Sequence, residues 1–295
     1  MAFEVLDEAV WTQRRDAHIA RVDGWLTDHV ERRGRGAKHP VEDFLFEYYR
    51  FSPSQLRRWH PGYGVTLSGR AAEELLSWRH YVRVDQGVAV DTAATAARST
   101  SIRWVHDLLV RTAGRPAHFG CFGLHEWAMV YRLPPEQRRH PAWPARLAPD
   151  EIAAVVEERP IRCTHFDAFR FFAPPARRLN VVQPTRASQP ELEQSGCLHA
   201  NMDLYKHAYK LSPLVPSDLV ADAFALARDI RALDMRASPY DLTALGFAPV
   251  PIETAAGRVA YAQAQREFSA RSVAVRQALI DVLDRLLADS ERATD

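Results

Sequence analysis

The segment Leu198-His199-Ala200-Asn201-Met202-Asp203-Leu204-Tyr205-Lys206-His207-Ala208-Tyr209-Lys210 decides the fold class. It reads as a helix, and the i, i+4, i+8 spacing sets His199, Asp203 and His207 on one face. Downstream, Ser217 to Met235 is a strong amphipathic helix and Ser238-Pro239 caps a short one ending at Gly246. Phe247 to Glu253 reads as a strand, and Gly257 to Ala288 as a long, surface-polar helix.

Upstream the same period recurs. Thr164 to Phe172 suits a short helix by the capping box Thr-His-Phe-Asp, or a strand by its aromatic richness, and the helix is preferred. Residues 133 to 160 carry six prolines and read as a long surface excursion with little regular structure. Gly123 to Arg132 is a helix with His125 and Met129 on one face, stopped by Pro134-Pro135. Asp91 opens a helix with Ala94, Ala97, Ile102, Val105, Leu108 and Leu109 on its buried side, ended by Gly114-Arg115-Pro116. Ser52-Pro53-Ser54-Gln55 is a capping box starting a short helix that ends at Trp59. Pro40 suits the first position of a helix through Phe44, Leu45, Tyr48 and Tyr49. Val10, Trp11, Ile19, Val22, Trp25, Leu26 and Val30 mark the first helix, ended by the Arg- and Gly-rich stretch Arg32 to Lys38. The expected fold is mainly α: a single compact multi-helix domain over 1–295 with a few short strands and a central pocket. A subdivision into an N-terminal helical part, 1–115, and a pocket-forming part, 116–295, is the alternative.

Three segments concentrate chemistry: Leu124-His125-Glu126-Trp127, Thr164-His165-Phe166-Asp167-Ala168-Phe169, and Cys197-Leu198-His199-Ala200-Asn201-Met202-Asp203. Each sets a His near a carboxylate among apolar residues, and burying such groups is costly unless they are paired or bound to a metal. The catalytic candidates are therefore His125, Glu126, His165, Asp167, His199 and Asp203. A His and an Asp one helical turn apart can share a metal or act as base and orienter, which makes His199 with Asp203 the best pair. His125, His165, His199 and Asp203 are the candidate metal ligands, for iron or zinc, with a His-ligated haem also open. Each of them is equally explained, taken alone, by a hydrogen bond to neighbouring backbone. Phe119, Phe122, Trp127, Phe166, Phe169, Phe171 and Phe172 suit the walls of a pocket for a planar ligand, or simply core. Arg236 suits a clamp on a substrate anion, although ion pairs with Arg231, Asp234 and Asp241 at the helix end are the plainer reading.

A net charge of +1 and a pI near 7.9 provide no global attraction to nucleic acid. Local Arg pairs remain, at Arg14-Arg15, Arg32-Arg33, Arg57-Arg58, Arg138-Arg139 and Arg177-Arg178. No run reaches the length of a membrane span and the N-terminus lacks the pattern of a signal peptide, so a cytoplasmic location and no membrane partner are expected. Cys121, Cys163 and Cys197 are odd in number and widely spaced, which argues against a disulfide framework.

Gly120 to Tyr131, His165 to Phe172 and Cys197 to Tyr205 resemble an actinobacterial family commonly catalogued as 3-methyladenine DNA glycosylases, and the resemblance runs over nearly the whole chain. It implies hydrolysis of the N-glycosidic bond of an alkylated base in double-stranded DNA, with no cofactor required. In helix-hairpin-helix glycosylases a Pro-Gly-x-Gly hairpin between helices holds a DNA phosphate, and a catalytic Asp follows. Here Pro61-Gly62-Tyr63-Gly64 follows a helix with Trp59 and His60 beside it, and Asp85 comes later, although Gly69 interrupts the helix that should follow. Asp85 or Asp167 then activates water or stabilises the sugar cation, and Trp127, Phe166 and Phe169 receive the flipped base. That pattern leaves the His segments unused. The alternative is a metal- or haem-dependent enzyme acting on a small, aromatic molecule, and it requires His125, His165 and His199 to converge.

Overall fold

In the computed structural model the chain is mainly α, with a four-stranded sheet. The structure describes residues 4–91, 93 and 97–292, so Ala94, expected on the buried side of a helix, lies outside the described residues. Among the described residues no helix is long and apolar enough to cross a membrane.

The chain divides into two compact units. The first comprises the residues up to Asp107, Leu204–Ala225 and the residues from Val275 onward; the second comprises Leu108–Asp203 and Leu226–Ala274. The division expected at 115/116 has a counterpart at Asp107/Leu108, but the chain later returns twice to the first unit. Each boundary falls inside a continuous helix, where no change of composition marks it.

In the first unit α1 (Glu8–Gly34) starts at Asp7, whose side chain accepts from the Val10 amide at 3.0 Å. Trp11, Val22 and Leu26 face inward as the period predicts, while Val10 and Val30 are exposed. Helix α2 (Phe44–Tyr49) begins at Asp43, with Pro40 a turn earlier rather than at its first position. Helix α3 (Pro53–Arg57) has the expected capping box, with both reciprocal bonds of Ser52 and Gln55 formed. The sheet runs in the order β1 (Glu4–Leu6), β2 (Val65–Leu67), β4 (Gly87–Val90), β3 (Tyr81–Val84). β1 is parallel to β2 and the other pairs are antiparallel. Strands of three or four residues are too short for alternation to register in a sequence.

Helix α4 (Ser99–Gly114) is the later part of the helix expected from Asp91; residues 92 and 94–96 lie outside the described residues, and Ala97 lies exposed in a turn before Ser99. Three short helices of the second unit carry or support the candidate residues: α5 (Leu124–Val130), α6 (Pro149–Glu157) and α7 (Phe166–Phe169). They are followed by α8 (Pro174–Arg177), α9 (Gln189–Leu192) and the long helices α10 (Leu198–Lys210), α11 (Ser217–Arg236) and α12 (Ala255–Arg292). The excursion from 133 to 160 is more ordered than its prolines suggest. Helix α6 buries Ile152 and Val156, and Ala145 bridges to Tyr240. Residues 247–253 are not a strand, because the Val250 amide bonds the Arg236 carbonyl and the segment turns into α12.

Candidate functional site

The second unit gathers the chemistry. Helix α5 opens immediately after Phe122 and Gly123, both at positive φ, and an added Cβ on Gly123 would stand 3.2 Å from the Tyr261 ring. That tight entry sets His125 and Glu126 in the first turn of the helix. The helix is held from behind by the Trp127 indole N–H donating to the Ala237 carbonyl at 2.8 Å and by the Ala173 amide donating to Ala128. Arg231 and Asp234 come from the buried side of α11, one turn apart. Arg231 donates to Glu126 at 2.8 Å and to Asp234 at 3.2 Å. His125 Nε2 lies 3.3 Å from Asp234 Oδ2 and 3.6 Å from Glu126 Oε1.

These four buried groups balance in charge. Burial alone would lower the basicity of His125, but the Asp234 and Glu126 carboxylates raise it to about 9. Burial would raise Glu126; Arg231, His125 and His140 instead hold it well below the usual carboxylate range. His199, on the first turn of α10, packs its ring edge-on to His125 at 4.1 Å and 5.5 Å from His165. It is half-buried and makes no hydrogen bond among the described residues. Burial and the neighbouring His125 and His165 push it well below the ordinary histidine value. Ligand atoms of His125, His199 and Asp234 lie within 4.8 Å of one another.

A second triad, His165, Glu193 and Asp203, meets the same distance condition. Its proton inventory is different. His165, rather than Thr164, caps α7: its Nδ1 accepts from the Ala168 amide at 3.2 Å. A ring whose Nδ1 accepts must carry its proton on Nε2, and that nitrogen faces Asp203 at 3.1 Å and Glu193 at 3.4 Å. Because its Nδ1 is taken up by the Ala168 amide, His165 can free Nε2 for a metal only by giving up its helix-capping bond, which makes it and its partner Asp203 the poorer ligand set. The expected His199–Asp203 pair is replaced by His165–Asp203, and His199 joins His125 and Asp234. His207, on the same helix, is buried against Trp104 in the first unit.

The other expected site residues fall in different places. Trp127 is fully buried with its N–H occupied, and Phe169 packs on Phe172 at 5.1 Å, so both are core. Phe166 remains half-buried at the start of α7. Asp167 pairs with Arg170 at 3.2 Å. Arg236 donates to the Ala248 carbonyl at 2.8 Å and closes a loop; the buried arginine that meets carboxylates is Arg231. In the first unit Pro61 to Gly64 leads into β2, not into a helix, and the Tyr63 amide is already bound to the Leu214 carbonyl at 2.9 Å. Gly62 is required there because an added Cβ would lie 2.6 Å from the Pro216 ring. Asp85 is exposed at the β3–β4 turn. Trp59 and Gly64 line a cavity of about 450 Å³ within the first unit, while the His60 ring bonds the Tyr81 hydroxyl at 2.8 Å.

Burial pushes the Cys163 thiol up to about 12 and raises Cys121 and Cys197 as well. Cys121 lines a second-unit cavity of about 270 Å³ with Phe119, Arg162, Thr164, Val182 and Gln194. From the sequence, Arg231 and Asp234 read only as ion pairs at the helix end, and Glu193 is not singled out. Arg231 and Asp234 lie among Ile230, Leu233 and Ala237, all buried, and an ion pair inside an apolar helix face was the available signal. No protein family, curated protein or solved structure matches this chain.

Proposed function

We propose that His125, His199 and Asp234 form a divalent-metal centre and that the protein is a metal-dependent enzyme acting on a small molecule. One observation carries the reading: among the described residues the buried His125 Nε2, although in ion-pair range of Asp234, makes no hydrogen bond of good geometry and Asp234 Oδ1 has no partner, and both lie beside the unbonded ring of His199. Buried polar atoms are ordinarily satisfied, and two orphans from two helices meeting an unbonded imidazole from a third mark the place of an ion or ligand. Two imidazoles and one carboxylate are the donor set of zinc and of non-haem iron sites that keep positions open for substrate. The metal takes the place of the His125 proton, and Arg231 orients Asp234 and offsets Glu126. His165, tied to Asp203 and Glu193, fixes the adjoining wall.

Metal analysis of untagged protein tests this. Near-stoichiometric zinc or iron, lost in His199→Ala and Asp234→Asn, is expected. Metal-free protein that takes up neither ion on titration overturns the reading. The base-excision reading rests on the resemblance and on Asp167 as its remaining carboxylate candidate, since Asp85 is open to solvent. Release of 3-methyladenine from alkylated duplex DNA, abolished by Asp167→Asn, is the result that would favour it.

A further inference from the structure

Beside the Glu126–Arg231 pair lies a second set of unsatisfied groups that the metal reading does not use. Tyr240, after α11, is 3 % exposed, and among the described residues its hydroxyl proton has no acceptor, the backbone group acting on its oxygen being that of His140. His140 packs edge-on to the Tyr240 ring at 5.4 Å, and its Nε2 is likewise buried and unbonded. Arg138, two residues before it, has a buried Nε without a partner and makes no ion pair among the described residues. The charges of Arg138 and Arg139 act on the Tyr240 hydroxyl, and His140 and Glu126 act on one another, so the cluster adjoins the candidate centre.

We infer that Tyr240, His140 and Arg138 form a binding subsite for a small oxyanion, a carboxylate or phosphate group of the substrate. The Tyr240 hydroxyl and the Arg138 guanidinium are donors with unmet bonds, and the neutral His140 ring adds a third in the tautomer that carries its proton on Nε2; together they match an acceptor-only group with several lone pairs. The carboxylate whose charge acts on Tyr240 and His140, Glu126, is already compensated by Arg231 at 2.8 Å and leaves their demand unmet. Arg138 and His140 are half-buried and so partly in contact with solvent, while a hydroxyl as deep as that of Tyr240 is out of reach for the backbone of a duplex. Its role as the handle for substrate rests on the proposed function; its binding of an anion does not.

Isothermal titration of the full chain with inorganic phosphate and with acetate, at constant ionic strength set by chloride, tests the subsite. The wild type and His199→Ala are both expected to bind at least one of the two saturably. Tyr240→Phe and Arg138→Met are each expected to weaken that binding about tenfold, the loss of one strong hydrogen bond. Preference for phosphate assigns a phosphoryl substrate and preference for acetate a carboxylate. Without anion, Tyr240→Phe should melt at or above the wild-type temperature, because it removes an unsatisfied hydroxyl. No saturable binding beyond chloride, unchanged binding in both variants, or a lowered melting temperature for Tyr240→Phe would overturn the inference. Binding that persists in metal-free protein leaves the subsite standing even if the metal centre fails.

Discussion

The triads His125/His199/Asp234 and His165/Glu193/Asp203 use the same residue types in the same unit, and they differ in how many hydrogen-bonding atoms are already occupied. His165 accepts on one nitrogen and donates on the other, so it is complete without a ligand. The first triad keeps His125 Nε2 and Asp234 Oδ1 unmet. Donor distance alone does not separate them; the position of one proton does.

The largest effect expected from this contrast is on stability. His165→Ala removes a helix cap and the donor between two buried carboxylates, and should cost about 3–5 kcal/mol. His199→Ala removes a half-buried ring without hydrogen bonds and should cost about 1–2 kcal/mol. Urea unfolding of both variants measures the difference. Equal losses would erase the distinction between the triads.

A smaller effect appears in the pH dependence of melting of metal-free protein. Burial, with Arg58 and His18, pushes His60 down to about 4. The unfolded chain therefore binds the proton first on acidification, and up to about 3 kcal/mol is lost as pH falls from about 6.5 to 4. His125, raised to about 9 by its carboxylates against burial, has the opposite sign: its contribution is present below about 6.5 and is lost as pH rises through 9. His60→Gln should flatten the acid limb and His125→Gln the alkaline limb. An alkaline limb unchanged in His125→Gln would show that its carboxylates do not hold a proton there.

Smaller again is stabilisation by metal. Zinc or ferrous iron at a hundredfold excess over its dissociation constant should add about 2.7 kcal/mol. Thermal melts of Asp234→Asn should lose that response and those of Glu193→Gln should keep it. The reverse pattern would exchange the roles of the two triads.

Long elements were legible and short ones were not. α10 and α11 follow from periodicity nearly to the residue, and the Ser52 capping box gives α3 because both halves of the motif lie in four consecutive residues. The strands β1 and β2 pair across some sixty residues and carry no local signature, so Pro61-Gly62-Tyr63-Gly64 reads as a helix hairpin until its Tyr63 amide is seen on Leu214. At the site, the three histidine segments do converge, as their apolar surroundings suggest. Their partners come from elsewhere. Asp234 and Glu193 reach the histidines through tertiary packing, and the role of His165 depends on which ring nitrogen meets the Ala168 amide. Helical spacing supplied His199 with Asp203 as a neighbour, yet the folded chain offers His165 a closer bond to the same carboxylate.

Anomalous X-ray scattering at the zinc and iron edges, from crystals of protein as purified, tests the central claim most directly. The account predicts a peak within about 2.0–2.3 Å of His125, His199 and Asp234. A peak between His165, Glu193 and Asp203, or crystals with no peak at His125, would contradict it.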